Sequence, residues 1–346
     1  MIGSILGAAC VFALKLPLFR YQGLNFFGVL NLIYVDLVVL LPVLAIALLV
    51  LSVRSKPRNR RLSRPATIVC WLTMLAIPIG IYATFVEPYR LQLETADVPV
   101  LSMRAGKTPI RIGVLADIQI NHVSDYEREA VHRLMAERPD LILIPGDIFQ
   151  ASMEQFESEE RALRDLFQRL NAPAGVFLVL GDVDWSMDVV RRILEGSRVK
   201  VLFNESTSVR FADRTIVIGG VELKYDSDAA RRLVHEMEES PGDDDVRILL
   251  THRPDVALGL RSRSRIDLVV AGHTHGGQVV VPFLGPPMTL SQVPRHIAAG
   301  GLHRIKESMI YISRGVGCEH GQAPRIRFLC PPEISVLTVG ADRENR

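Results

Sequence analysis

The chain has 346 residues, enough for one large domain or two smaller ones. Its net charge of +2 comes from one short basic stretch, and the remainder is mildly acidic, which argues against nucleic acid as the main partner. Mean hydropathy is positive, high for a soluble chain, and the apolar residues crowd before residue 87.

In chain order, residues 2–14 are apolar and end at Lys15 and Pro17. They lack the basic start of a cleaved signal peptide and are read as a third span, with a re-entrant or interfacial helix as the alternatives. Residues 24–53 are apolar apart from Asp36, and residues 66–86 carry no charge. Each is long enough to cross a hydrocarbon core of about 30 Å at about 1.5 Å per residue. Asp36 is placed near the outer interface, because its stretch is longer than a crossing needs.

Between these two spans, residues 54–64 hold six basic side chains and no acid. A short loop this basic stays on the cytoplasmic side. The second span then runs outward, and everything after Glu87 lies on the outer, periplasmic side of a multi-pass inner-membrane protein. Four cysteines fall as Cys10 and Cys70 in apolar segments and Cys318 and Cys330 beyond them. The latter two can pair in an exported domain, free buried thiols being the alternative, and no CxxC spacing suggests zinc.

The expected organisation is a membrane region over 1–86, a linker over 87–107, a domain over 108–340 and a tail over 341–346. In the domain, Ser124 and Glu127 form a capping box that opens a helix burying Ala130, Leu134 and Met135 on one face. That helix leads through Pro139 into a strand ending at Gly146-Asp147, which makes a βαβ unit. Further strands are expected over 215–219, 246–250, 266–271, 278–282, 309–313 and 334–339.

Four of the apolar strands end in metal-binding side chains. They are Gly113-Val114-Leu115-Ala116-Asp117-Ile118-Gln119, Leu141-Ile142-Leu143-Ile144-Pro145-Gly146-Asp147, Arg247-Ile248-Leu249-Leu250-Thr251-His252 and Ile266-Asp267-Leu268-Val269-Val270-Ala271 followed by Gly272-His273-Thr274-His275-Gly276-Gly277. Glycine lets the backbone turn sharply and approach a ligand closely. A lone His-x-His or Gly-Asp is more often a histidine pair or a turn. Four such endings together read as one polynuclear metal site.

The order of these motifs resembles the calcineurin-like metallophosphoesterases, in particular their membrane-anchored bacterial members. His252-Arg253-Pro254-Asp255, Ser313-Arg314-Gly315-Val316-Gly317 and Pro331-Pro332-Glu333-Ile334 extend the likeness, which covers roughly residues 108–339. The resemblance implies a fold of two mixed β-sheets, sandwiched and flanked by helices, behind N-terminal transmembrane helices. It also implies two divalent metal ions. Asp147 bridges them, Asp117 and His275 hold the first, and His252 and His273 hold the second.

The chain departs from the family pattern at three positions. Gln119 replaces a histidine and still offers an oxygen to the first ion. Gly181-Asp182-Val183-Asp184 stands where relatives read Gly-Asn-His-Asp, so Asp182 is an oxygen ligand carrying extra negative charge. Both changes favour hard ions, Mn²⁺ foremost, with Mg²⁺, Fe and Zn²⁺ as alternatives. Val183 replaces the histidine that assists the leaving group, a loss worth roughly 10²–10⁴-fold in rate. Asp184 and His122 are the candidate replacement proton donors, against structural loop roles. Arg253 is weighed equally as a phosphate contact and as a solvent-facing arginine.

Two functional readings follow. The first is a membrane-anchored phosphoesterase that hydrolyses a phosphomonoester, phosphodiester or pyrophosphate on a small molecule or a lipid, through a metal-activated hydroxide. The second, favoured by Gln119, Asp182 and Val183, is a non-catalytic binding module on the same fold.

Overall fold

The computed structural model describes residues 23–55 and 61–341. The expected span over residues 2–14, much of the basic loop and the tail beyond 341 lie outside them. The described residues divide into two compact units, the first running to Thr84 and including Glu319–Arg325. The second starts at Phe85 and resumes at Ile326.

Two helices, Phe26–Arg54 and Arg64–Tyr89, are long and apolar enough to cross a membrane. Asn25 caps the first by accepting from the Gly28 amide, and Ser63 caps the second at Ala66. Their large apolar side chains face outward: Trp71 is 59% exposed, Phe85 70% and Val53 82%. A helix from a soluble core buries such side chains. The Tyr34 hydroxyl lies 3.1 Å from the Gly80 carbonyl and 2.6 Å from the Thr84 hydroxyl, a polar tie between the two helices.

The second unit holds twelve strands in two sheets. They are β1 (Gln92–Val100), β2 (Ile110–Val114), β3 (Leu141–Ile144), β4 (Val176–Leu178), β5 (Val199–Val201), β6 (Glu205–Phe211), β7 (Arg214–Gly220), β8 (Val246–Leu250), β9 (Leu268–Ala271), β10 (Gly301–Ile305), β11 (Ser308–Ile312) and β12 (Glu333–Ala341). One sheet runs β1-β12-β2-β3-β4-β5 and the other β10-β11-β9-β8-β7-β6. Both are mixed: β2, β3, β4 and β5 are parallel, as are β7, β8, β9 and β11, while β12–β2, β6–β7 and β10–β11 are antiparallel.

The period-two side-chain rule sorts each central strand between two cores. Leu141 and Leu143 join the core between the sheets with Ile248, Leu250, Leu268 and Val270. Ile142 and Ile144 face the other way, onto helices Asp125–Ala136 and Met153–Phe167. Leu249, Val269 and Ala271 likewise face helix Asp228–Glu239. Strands buried on both faces read as continuous apolar runs, which is why these four stood out in the sequence. The Ser124–Glu127 capping box is present, and β2 and β3 around its helix pair in parallel.

Two expectations about the domain are corrected. Residues 87–107 are not a linker: β1 lies among them, pairs in parallel with β12 along its whole length, and buries Val98 and Val100. Its Glu94, Asp97 and Pro99 disguised an edge strand, which tolerates charge and proline. Residues 278–282 form no strand, only the bridges Val279–Phe328 and Val281–Gly285, because the chain folds back on itself at Gly285. Cys318 and Cys330 are buried free thiols, and the Cys330 sulfur donates to the His275 carbonyl at 3.2 Å.

The Pro331-Pro332-Glu333-Ile334 and Ser313-Arg314-Gly315 motifs meet where the sheets converge. Buried Glu333 accepts from the Tyr311 hydroxyl at 2.9 Å, the Arg314 amide at 3.2 Å and Arg314 Nε at 2.5 Å. Arg314 also pairs with Glu94 of β1. Two ion pairs of Arg314 therefore join the end of β11 to β12 and β1 of the opposite sheet. Removing one partner of a buried pair leaves the other charge stranded, at about 3–5 kcal/mol. Glu333→Ala is therefore expected to lower the urea midpoint of the detergent-solubilised chain by that equivalent. A shift close to zero would mean that the pair does not couple the sheets.

Candidate metal centre

Besides Asp182 in the loop after β4, six ligand-type residues sit just past the ends of central strands. Asp117 and Gln119 follow β2, Asp147 follows β3, His252 follows β8, and His273 and His275 follow β9. Five of these six have left-handed backbone: φ is +45° at Asp117, +46° at Gln119, +54° at Asp147, +72° at His273 and +48° at His275. Non-glycine residues in that region cost roughly 1–3 kcal/mol each, so the surroundings must enforce it. Backbone bonds do so, from Asp117 N to Gly146 O at 3.2 Å, Gln119 N to Asp147 O at 2.8 Å and Gly272 N to His252 O at 3.1 Å. Glycine is required beside the carboxylates. A Cβ on Gly272 would lie 2.6 Å from Asp117 Oδ2, and one on Gly181 2.1 Å from Asp147 Oδ1.

The side chains converge in two groups whose ligand atoms all lie within 4.8 Å of one another: Asp117, Asp147 and His252, and Asp182, His252 and His273. Both imidazoles are anchored from behind. His252 Nδ1 lies 2.8 Å from the Pro145 carbonyl, and His273 Nε2 lies 3.2 Å from the Leu290 carbonyl. A carbonyl only accepts, so those nitrogens carry the hydrogens, and neutral rings present lone pairs at His252 Nε2 and His273 Nδ1. These two atoms face each other at 3.2 Å. They also face Asp182 Oδ2 at 3.3 Å and 2.6 Å, and His252 Nε2 lies 3.5 Å from Asp147 Oδ2. Lone pairs and carboxylates aimed at one another require a cation among them, either a proton or a metal ion. The donor set of oxygens and imidazoles fits a divalent metal, and carbonyl-oriented imidazoles are the usual support for one.

Charge in the metal-free site follows the same logic. Burial pushes the Asp117 carboxyl up to about 7, with Asp147 adding to the rise against the pull of His252. Burial would lower His252, but Asp147, Asp182 and Asp117 overcome it and raise the ring to about 10. Burial also works to raise Asp182, yet its bonds to His252, His273 and Arg253 hold it far below the usual carboxylate range. Without a metal, a proton on His252 would offset these carboxylates.

The remaining sequence candidates take other places. Gln119 is buried, with Nε2 3.4 Å from Asp147 Oδ2, so its amide lies against that carboxylate. Arg253 points at Asp182, pairing Nη2 with Oδ1 at 2.5 Å, and so neutralises a ligand-type carboxylate while its side chain stays 40% exposed. Asp184 accepts from the amides of Asp147 at 3.0 Å, Ile148 at 2.8 Å and Gly181 at 2.8 Å. Those bonds make it the clasp between the β3 and β4 loops, not a proton donor facing the site. His122 is 71% exposed and pairs with Glu159 at 2.7 Å, which ties its ring to helix Met153–Phe167. His275 is buried but belongs to neither ligand group, and its carbonyl receives Cys330.

Two backbone carbonyls complete the site. The Pro145 and Leu290 carbonyls leave no trace in side-chain identity. Asp255 of the His-x-Pro-Asp motif was visible without an assigned role. It accepts from the Gln292 amide at 2.6 Å and the Ser291 hydroxyl at 3.0 Å, which fixes the loop that carries Leu290. Val183 retains one contribution despite its inert side chain, since its amide donates to Asp147 Oδ1 at 3.0 Å.

Residues 110–277 match the family model of the calcineurin-like phosphoesterases. The chain carries a calcineurin-like phosphoesterase domain. It is 29% identical to phosphodiesterase YaeI of Escherichia coli (strain K12), over 66% of this chain and 82% of that one. It is 26% identical to the uncharacterized metallophosphoesterase YkuE of Bacillus subtilis (strain 168), over 75% and 88%. An uncharacterized metallophosphoesterase of Aquifex aeolicus (strain VF5) is 28% identical over 77% and 97%. The family is one of metal-dependent phosphoesterases, and the two ligand groups lie at the strand ends that its motifs mark.

A pH dependence follows for the metal-stripped protein. The folded pKa of His252, about 10, lies above its ordinary 6.5. Its stabilisation is complete below pH 6.5 and is lost as pH rises through 10. Asp117, raised from 3.8 to about 7, acts in the same direction at lower pH. The melting temperature of stripped protein is thus expected to fall from neutral pH towards pH 10, and saturating Mn²⁺ to restore it at the alkaline end. A melting temperature that rises over this range without metal would contradict the charge assignment.

Proposed function

We propose that the chain is a membrane-anchored, two-metal phosphoesterase that hydrolyses a phosphate ester or pyrophosphate, lipid-linked, at the outer face of the membrane. The observation that carries this reading is the pair of carbonyl-anchored imidazoles set among Asp117, Asp147 and Asp182 in two ligand groups that meet at His252. Membrane anchoring is supported by the two outward-facing apolar helices, and the side by the basic loop between them. The phosphodiesterase name of the E. coli relative favours a diester.

Asp182, His252 and His273 would hold one ion, and Asp117 and Asp147 the other; His252 is the member common to both groups, and the sharing of Asp147 between the ions rests on the resemblance. His275 and Gln119 join the first ion on the strength of the resemblance alone. Oxygen-rich ligation favours Mn²⁺ or Mg²⁺. Divalent ions there supply neutralisation of phosphoryl charge and an activated water. The chain's own residues do the rest. Asp184 locks the Asp147 and Gly181 backbones in register, and the Val183 amide orients the Asp147 carboxylate. Arg253 offsets the charge of Asp182, so a substrate phosphate meets a less negative rim.

Val183 has no proton to give, so turnover should depend steeply on leaving-group acidity. Full-length protein stripped of metal and titrated with Mn²⁺ should hydrolyse bis-p-nitrophenyl phosphate, and Asp147→Ala should abolish this. Val183→His is expected to accelerate esters of poor leaving groups by about 10²-fold while barely changing p-nitrophenyl esters. The alternative, a binding module, is favoured by Val183 and by the engagement of Arg253 with Asp182. Folded, metal-loaded protein with no turnover under any divalent ion would establish that alternative.

A further inference from the structure

Residues 276–294 contain no charged side chain, although they lie between the metal-site histidines and Arg295. The segment folds over the site instead of trailing away. A Cβ on Gly277 would lie 2.6 Å from both the Pro286 ring and the Met288 carbonyl, and the Leu290 carbonyl receives His273. At its far end Val281 and Gly285 close a tight hairpin, with Val281 N bonded to Gly285 O at 3.1 Å and Gly285 N to Val281 O at 2.9 Å. The tip, Val281-Pro282-Phe283-Leu284, is apolar and exposed throughout. Phe283 is 107% exposed, as bare as in an open peptide, and Leu284 is 78% exposed.

Phe283 also has φ of +67°, a region that bulky residues rarely occupy. Among the described residues, none covers the Phe283 ring, which stands fully in water in that conformation. Strain together with bare apolar surface at a loop tip points to a ligand outside the chain.

The tip is tied to the exit of the second apolar helix. Glu87, directly after the charge-free stretch, accepts the Leu329 amide at 2.9 Å and the Cys330 amide at 2.5 Å. Phe328, next to exposed Leu329, bonds to the base of the hairpin: Val280 N donates to Phe328 O, and Phe328 N to Gln278 O, both at 2.8 Å. Four hydrogen bonds thus link Glu87, where the chain leaves the apolar helix, through residues 328–330 to the base of the apolar lip, and Leu290 of the same segment reaches His273.

We propose that Val281, Pro282, Phe283 and Leu284, with Leu329 beside them, form a lip that lodges in the headgroup–acyl boundary of the bilayer that holds the helices. The lip delivers lipid-borne phosphate to the metal centre behind it. This rests on the membrane-anchored reading above and names the bilayer surface as the partner. Apolar side chains at an interface sink about 5–10 Å into that boundary, which suits a hairpin tip and not a whole element.

The test is tryptophan quenching in full-length protein reconstituted into phosphatidylcholine vesicles with acyl chains brominated at shallow or deep positions. Native Trp71, in the second apolar helix, is read alone in a Trp185→Phe background. The lip is read in Trp71→Phe, Trp185→Phe, Phe283→Trp protein, a mild change at a fully exposed site. We expect Trp71 to be quenched, and the lip reporter to lose about half its emission to shallow bromines and much less to deep ones. A quenched Trp71 beside an unquenched lip reporter overturns the lip while leaving the anchor standing. A blue-shifted but unquenched reporter also overturns it, in favour of a protein partner or second copy on that surface. An unquenched Trp71 removes the anchor, and the lip with it.

Discussion

Three aspartates and two imidazoles converge in two groups that meet at His252, and Arg253 pairs with Asp182 at their exposed edge. Like charges this close cannot coexist without a cation between them. Much of the surrounding structure prevents them from moving apart. Strand ends hold five residues in left-handed backbone, glycines at 181 and 272 admit the carboxylates, and Asp184 clasps two loops by three amides. The two sheets that carry the ligands are in turn fastened by Glu333 and Arg314. A polypeptide that accepts such repulsion and strain is built around a positive guest.

The same frame explains the effect of the unusual residues. Asp182 adds a negative charge, and Arg253, seventy-one positions later in sequence, pairs with it directly. Val183 removes a proton donor but keeps the amide that orients Asp147. The placement of the Asp147 carboxylate therefore does not depend on the side chain at position 183.

Most of the site was legible because its ligands follow central strands buried on both faces, which advertise themselves as apolar runs ending in Asp or His. Asp117, Asp147, His252 and His273 were found this way, and the capping box at Ser124 marked the helix between the first two. Two kinds of feature were not legible. Edge strand β1 mixes Glu94, Asp97 and Pro99 with its apolar residues, and so resembles a linker until β12 lies beside it. Conversely, the Val279-Val280-Val281 run has strand composition, yet its neighbours Pro282 and Gly285 turn it into a hairpin with an exposed tip. Side-chain roles set by distant partners were also hidden. Nothing local to His122 announces Glu159, and nothing local to Arg253 announces Asp182.

In the proposed reading, Asp147 joins two cation sites into one centre. Electron paramagnetic resonance of Mn²⁺-loaded full-length protein, with total manganese measured on the same sample, addresses it most directly. The account predicts about two Mn²⁺ per chain with the broadened spectrum of an exchange-coupled pair, and loss of that coupling in Asp147→Asn. A single isolated Mn²⁺ signal from the unmutated chain, or no bound manganese at all, would contradict it.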